Sequence, residues 1–118
     1  MPVEHLFVYG TLRRGCDNKY ARLLADRGQF LGTARTPGLL YDFGHYPGAV
    51  KSHQTDCWVQ GEVHRLDNPE LLTLLDEYEG PEYERAMVSV TGLQACWIYW
   101  YVGLETGRLI ASGDWFQR

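Results

Sequence analysis

Two stretches of this chain carry residues whose types and spacing could do chemistry. The first is Leu75-Asp76-Glu77-Tyr78-Glu79-Gly80-Pro81-Glu82-Tyr83-Glu84-Arg85, in which carboxylates crowd what reads as the end of a helix. A helix C-terminus carries partial negative charge, so a carboxyl group there keeps its proton to higher pH. A shift in that direction suits a general base working near neutrality. The same residues would serve as solvated surface charges, and spacing alone does not say which glutamate, if any, faces inward. The second stretch is Val8-Tyr9-Gly10-Thr11-Leu12, where an apolar run meets a glycine and a polar loop. Successive backbone N–H groups in such a turn can form an anion nest for a carboxylate or a developing oxyanion. A plain turn would use the same residues.

Other arrangements are weaker. Cys16 lies near the loop, but a cysteine nucleophile needs a histidine partner, and no spacing singles out His45, His53 or His64. The cysteines, Cys16, Cys57 and Cys96, are odd in number and widely spaced, which suggests neither a disulfide framework nor a zinc site. They read as small hydrophobes, and His45 reads as a turn residue. Gly10-x-x-x-x-Gly15 lacks the Gly-Lys-Ser/Thr that would complete a phosphate loop. Arg13-Arg14 is too small for a basic patch and reads as a solvated loop face. With a net charge of −4, nucleic acid is not expected as the main partner.

The elements that must position these residues follow from local signals. Leu6-Phe7-Val8-Tyr9 reads as a buried strand ended by Gly10. The run 20–26 is a short amphipathic helix with Gly28 as its stop. Residues 30–43 read as extended with a break at Pro37-Gly38, and Pro47-Gly48 marks a second turn. In a strand over 58–66, Val59, Gly61 and Val63 fall on one face, with Trp58, Gln60, Glu62 and His64 on the other. The clearest helix follows, with Asp67 or Asn68 as cap, Pro69 as first residue and Glu70 in the first turn. Leu71, Leu72, Leu74, Leu75 and Tyr78 supply its apolar face, and Gly80-Pro81 stops it. Two strands, 87–90 and 95–102, are split by Thr91-Gly92, and the tail at 112–115 reads as irregular.

This order predicts an α+β fold: a small mixed, barrel-like β-sheet with few helices. At 118 residues the chain is expected to be one domain, 1–118, able to bury a core of its own. No long apolar run or signal-like N-terminus is present, and the thiols read as reduced, so a cytoplasmic protein without membrane spans is expected.

The segment Val8-Tyr9-Gly10-Thr11-Leu12-Arg13-Arg14-Gly15 resembles the opening signature of the γ-glutamylcyclotransferase-like family. That family includes the γ-glutamylamine cyclotransferases, the plant avirulence-induced proteins and many uncharacterised bacterial proteins. Leu75-Asp76-Glu77-Tyr78-Glu79-Gly80 followed by Tyr83-Glu84-Arg85 resembles its second signature. Gly61-Glu62-Val63 and the turn Gly44-His45-Tyr46-Pro47-Gly48 also fit, and Gly113-Asp114-Trp115 is similar to a bacterial subgroup. Two separated signatures in the right order are far more specific than either alone.

The resemblance implies that Tyr9, Gly10, Thr11 and Leu12 form a substrate-binding loop and that Glu79 is the catalytic acid/base. It makes Asp76 structural, Glu77 solvated and Arg85 an ion-pair partner. Tyr83 orients Glu79, lines the pocket or simply packs. The implied reaction is intramolecular: the α-amino group of a γ-glutamyl compound attacks its own γ-carbonyl, an amine departs and 5-oxoproline forms, with no metal or redox cofactor. Two other classes stand beside this one. One is a non-catalytic small-molecule binding module on the same fold, which a glutamate at 79 disfavours. The other is a partner-binding protein using exposed aromatics such as Trp115 and Phe116.

Overall fold

The computed structural model describes residues 4–52 and 56–118, so His53 lies outside the described residues. Strand β1 (Glu4–Val8) is followed by helix α1 (Lys19–Arg27), strands β2 (Gly28–Pro37), β3 (Leu39–Asp42), β4 (Pro47–Val50) and β5 (Trp58–Leu66), and helix α2 (Glu70–Glu79). Strands β6 (Tyr83–Val90), β7 (Leu93–Tyr101) and β8 (Arg108–Leu109) complete the sheet, and a 3-10 turn, Trp115–Gln117, follows. The fold is therefore a mixed, curled α+β sheet with two helices, as the element order predicts.

Side-chain caps fix the helix starts. Asn18 Oδ1 accepts from Ala21 N at 2.8 Å, and Asn68 Oδ1 accepts from Glu70 N at 2.9 Å. Helix α1 ends where Gly28 N bonds the Leu24 carbonyl and passes directly into β2. Leu71, Leu72 and Leu75 of α2 are buried, but Leu74, expected on the apolar face, is 39% exposed because it points away from the sheet.

Pro47-Gly48 is not a turn; it opens β4. The reversal falls just before it, where Gly44 takes φ +108° and Phe43 N bonds Tyr46 O at 3.0 Å. Proline is tolerated at a strand's first residue, where its missing N–H costs no ladder bond. The tail is irregular over 112–114, as expected, with a 3-10 turn beginning at Trp115. Strand β8 pairs antiparallel with β3, and Trp115 is buried in the core rather than exposed.

Strand β7 organises the sheet. Strand β6 runs antiparallel along it from Tyr83↔Tyr101 to Val90↔Leu93 and fills one edge. The other edge is shared by two parallel neighbours, β1 at Leu6↔Trp97 and β4 at Ala49↔Trp100. Beyond β1 lie β5 and β2, and beyond β4 lie β3 and β8. The sheet therefore splits where β7 exchanges β1 for β4, and the chain leaving β1 at Tyr9 passes through that gap.

The alternation of β1 separates two apolar clusters. Phe7 and Tyr9 face one built with Val59, Ile98, Trp100 and Trp115, whereas Leu6 and Val8 face the other with Leu24, Leu71, Leu72 and Leu75. No helix among the described residues is long and apolar enough to cross a membrane.

Candidate active site

A cavity of about 300 Å³ opens at the split in the sheet. The end of β1 and the loop after it form one wall (Tyr9, Gly10, Thr11, Leu12). The end of α2 forms a second with Tyr78 and Glu79, and Tyr46, Pro47, Glu82, Tyr83 and Tyr99 close the rest. The volume is at the small end of the usual range for ligand sites.

Glu79 reaches the cavity through helix periodicity. It is the last residue of α2 and lies one turn beyond buried Leu75, itself one turn beyond buried Leu71. The carboxyl group thus continues a buried stripe into a cavity. Among the described residues no hydrogen bond or ion pair reaches it, and burial pushes its pKa up to about 7. The cause is desolvation rather than the partial charge of the helix end. Gly80 ends the helix with φ +78° and ψ −171°, a conformation reserved for glycine, and its N–H bonds the Asp76 carbonyl.

The loop is tied from both sides. Tyr9 Oη donates to the Tyr99 carbonyl at 2.5 Å and accepts from Ala49 N at 3.1 Å. It therefore bridges β7 and β4 at the split, and its ring lines the cavity. Its hydroxyl pKa is raised by burial, with the Glu79 charge adding to the effect. At Gly10 a Cβ would lie 2.4 Å from Pro47 Cγ, so only glycine lets the loop pass β4. The Gly10 carbonyl accepts from Arg13 N at 3.1 Å and the Thr11 carbonyl from Asn18 Nδ2 at 2.7 Å. Both carbonyls are thus engaged by groups outside the cavity lining. Thr11 Oγ1 lies 2.8 Å from Tyr78 Oη, and Tyr78 stacks on Tyr20.

Tyr83 lines the cavity and donates to the Pro47 carbonyl at 2.6 Å, so its hydroxyl orients β4 rather than Glu79. Asp76 faces away from the cavity. It takes Arg85 Nε at 2.8 Å and Nη2 at 3.1 Å and accepts from Tyr99 Oη at 2.7 Å. Glu77 is exposed. Cys16 Sγ contacts the Gly10 carbonyl, and burial pushes its thiol up, the opposite of an activated nucleophile. His45 is exposed, and His64 is buried against Glu62.

Tyr46, Pro47, Glu82 and Tyr99 were not assigned to the site from the sequence; Glu82 reaches the cavity from the turn after α2 and Tyr99 from β7. The sharpest departure is Arg13. Expected on a solvated face, it is 7% exposed and ion-paired with Glu62 and Asp114.

Fold and site together define a small pocket on a curled mixed sheet into which the Glu79 carboxyl group, its pKa raised by burial, is turned. The chain belongs to the family described as gamma-glutamyl cyclotransferase, AIG2-like, whose sequence model matches residues 6–117. A "Gamma-glutamylcyclotransferase family protein YtfP" from Escherichia coli strain K12 is 40% identical over 116 residues, covering 96% of each chain. A "Gamma-glutamylaminecyclotransferase" from Rattus norvegicus is 29% identical, covering 78% of this chain and 66% of the rat protein. The crystal structure of the uncharacterized protein PH0828 from Pyrococcus horikoshii superposes with a TM-score of 0.77 at 26% identity, covering 95% of this chain and 89% of that one.

Proposed function

We propose that this protein is a γ-glutamylcyclotransferase that converts a γ-glutamyl amine or amide into 5-oxoproline and a free amine, with Glu79 as general acid/base. The observation that carries this reading is the Glu79 carboxyl group, its pKa pushed up to about 7 by burial, in a cavity also lined by the 9–12 loop.

The steps follow from that arrangement. The substrate folds so that its α-nitrogen lies against its γ-carbonyl carbon. Ionised Glu79 takes a proton from the α-ammonium group, and the freed amine attacks. The C–N bond of the five-membered ring forms as the carbonyl π electrons move to oxygen. Glu79 returns its proton to the leaving nitrogen and takes the second proton from the ring nitrogen. The carbonyl re-forms as the original amide C–N bond breaks, and the amine departs as an ammonium ion by taking that second proton from Glu79. Protons and electrons balance, and Glu79 ends ionised. Holding the folded conformer supplies much of the acceleration, because well-oriented intramolecular reactions gain about 7–11 kcal/mol. Proton transfer by a positioned group adds ~10²–10⁴-fold. The N–H edge of Gly10, Thr11 and Leu12 receives the negative charge of the substrate carboxylate or of the developing oxyanion.

The test is release of 5-oxoproline from a panel of γ-glutamyl amino acids and amines. Folded Glu79→Gln should lose at least ~10²-fold in kcat, and Glu77→Gln should retain wild-type turnover. Wild-type rates in Glu79→Gln would remove the assignment. A folded wild-type protein inactive on every compound would favour a binding module on the same fold.

A further inference from the structure

Behind the loop, on the side away from the cavity, lies a buried charged cluster that the reaction does not use directly. Arg13 Nη1 donates to Asp114 Oδ1 at 2.7 Å, and Arg13 Nε lies 3.4 Å from Glu62 Oε2. The guanidinium also lies 3.9 Å from the centre of the Phe116 ring. The other Glu62 oxygen accepts from Arg14 N at 2.8 Å and lies 3.2 Å from His64 Nε2. A carboxylate can only accept, so that histidine nitrogen carries the hydrogen. Burial alone would raise the Glu62 carboxyl, but His64, Arg14 N–H and Arg13 together hold it below the usual range. Glu62 is therefore an anion.

Buried ion pairs are poor devices for stability, since desolvation offsets most of the attraction. This one has another consequence. Arg13 N bonds the Gly10 carbonyl at 3.1 Å, so the turn of residues 10–13 moves with the Arg13 backbone. The two carboxylates that hold Arg13 come from the middle of β5 and from the C-terminal turn. That turn is itself pinned to β5, where Gln60 N bonds Gly113 O at 2.8 Å, and Asp114 Oδ1 also accepts from Phe116 N at 2.9 Å.

We propose that Asp114 and Glu62 are positioning residues that act through Arg13 to hold the 10–12 loop in its place along the cavity, so that the C-terminal turn is part of the active-site support. The proposal rests on the cyclotransferase reading for its functional consequence, though not for the bracing itself. Displacements of about 1 Å at a reacting centre can cost ~100-fold, so a small relaxation of this brace is enough to matter.

The experiment compares wild type, Asp114→Ala and Asp114→Asn by amide hydrogen exchange and by 5-oxoproline release. Asp114 is partly solvated, so neither change leaves a buried cavity. Asp114→Ala should speed exchange at Arg13, whose N–H bonds the Gly10 carbonyl, about tenfold and leave the α2 amides unchanged, while kcat/KM falls about 10–100-fold. Asp114→Asn keeps both acceptor contacts and should recover most of the rate. Unchanged loop exchange in folded Asp114→Ala overturns the brace. A loosened loop with wild-type turnover overturns the positioning role. If the wild type releases no 5-oxoproline, the cyclotransferase reading fails with the role it supports, and exchange still decides separately whether Asp114 braces the loop.

Discussion

Glu79 shows how burial sets one side chain's working pH. Its pKa of about 7 comes from desolvation, so the ionised form that would accept the α-ammonium proton grows in as pH rises from 6 to 8. The expected kcat/KM profile therefore falls on its acidic limb with an apparent pKa near 7, and that limb should be absent from whatever residual rate Glu79→Gln retains. The same shift has a cost in stability. The unfolded chain releases this proton near the ordinary glutamate value of 4.5, and the folded protein holds it to about 7. Relative to high pH, protonated Glu79 contributes stability that is complete below about pH 4.5 and is lost as pH rises through about 7. Glu79→Gln should therefore unfold at higher urea than wild type at pH 8, by roughly 3 kcal/mol, and the difference should shrink toward pH 5. Equal urea midpoints at pH 8 would mean that the carboxyl group is better solvated than the cavity suggests.

At the scale of elements, the site is made by two terminations. Strand β1 stops at Val8, and the following glycine passes Pro47 where no Cβ would fit. Helix α2 stops at Glu79 because Gly80 adopts a backbone conformation that other residues avoid. Nothing lies within 4 Å of a Cβ built at Gly80, so Gly80→Ala would suffer backbone strain alone. That substitution is expected to destabilise by about 1–3 kcal/mol in urea unfolding. It should also lower 5-oxoproline release, since relieving the strain re-aims the last turn and Glu79 with it. Stability loss with unchanged kcat would show that the helix end tolerates a different exit. The Asp76–Arg85–Tyr99 contacts support the same turn from behind, tying α2 to β6 and β7.

At the scale of the whole molecule, the cavity lies where one edge of β7 passes from β1 to β4. Tyr9 fills that gap with two hydrogen bonds to backbone groups, and the cavity lies beside it. The C-terminal residues complete the structure: Trp115 is 5% exposed within the cluster that contains Phe7, Val59 and Ile98. Trp115→Ala should cost about 3–5 kcal/mol, a large part of the 5–15 kcal/mol typical of a domain. Urea unfolding checks this, and a loss under about 1 kcal/mol would mean that the tail is not part of the core.

Much of this organisation is local and was legible in the residues themselves. Asn68, Pro69 and Gly80 bound a helix by capping chemistry that needs no tertiary partner. The alternation of β5 marks its two faces, and the order of strands and helices limits the fold class. The two family signatures placed Glu79 and the 9–12 loop in separate parts of the chain. The stripe Leu71, Leu75, Glu79 was also there to be read, at the i, i+4 spacing of one helix face. What the chain could not show locally is which residues meet. Pro47-Gly48 reads as a turn until antiparallel pairing with β3 draws it into a strand, and Tyr99 meets the cavity only because the sheet brings β7 beside β1 and β4. Arg13 reads as a solvated cation until Glu62 and Asp114, 49 and 101 residues away, close over it. Local propensity and capping depend on neighbours within a few residues. Desolvation of Glu79 and burial of Arg13 depend on groups brought together only by the sheet, and so the tertiary structure alone decided them.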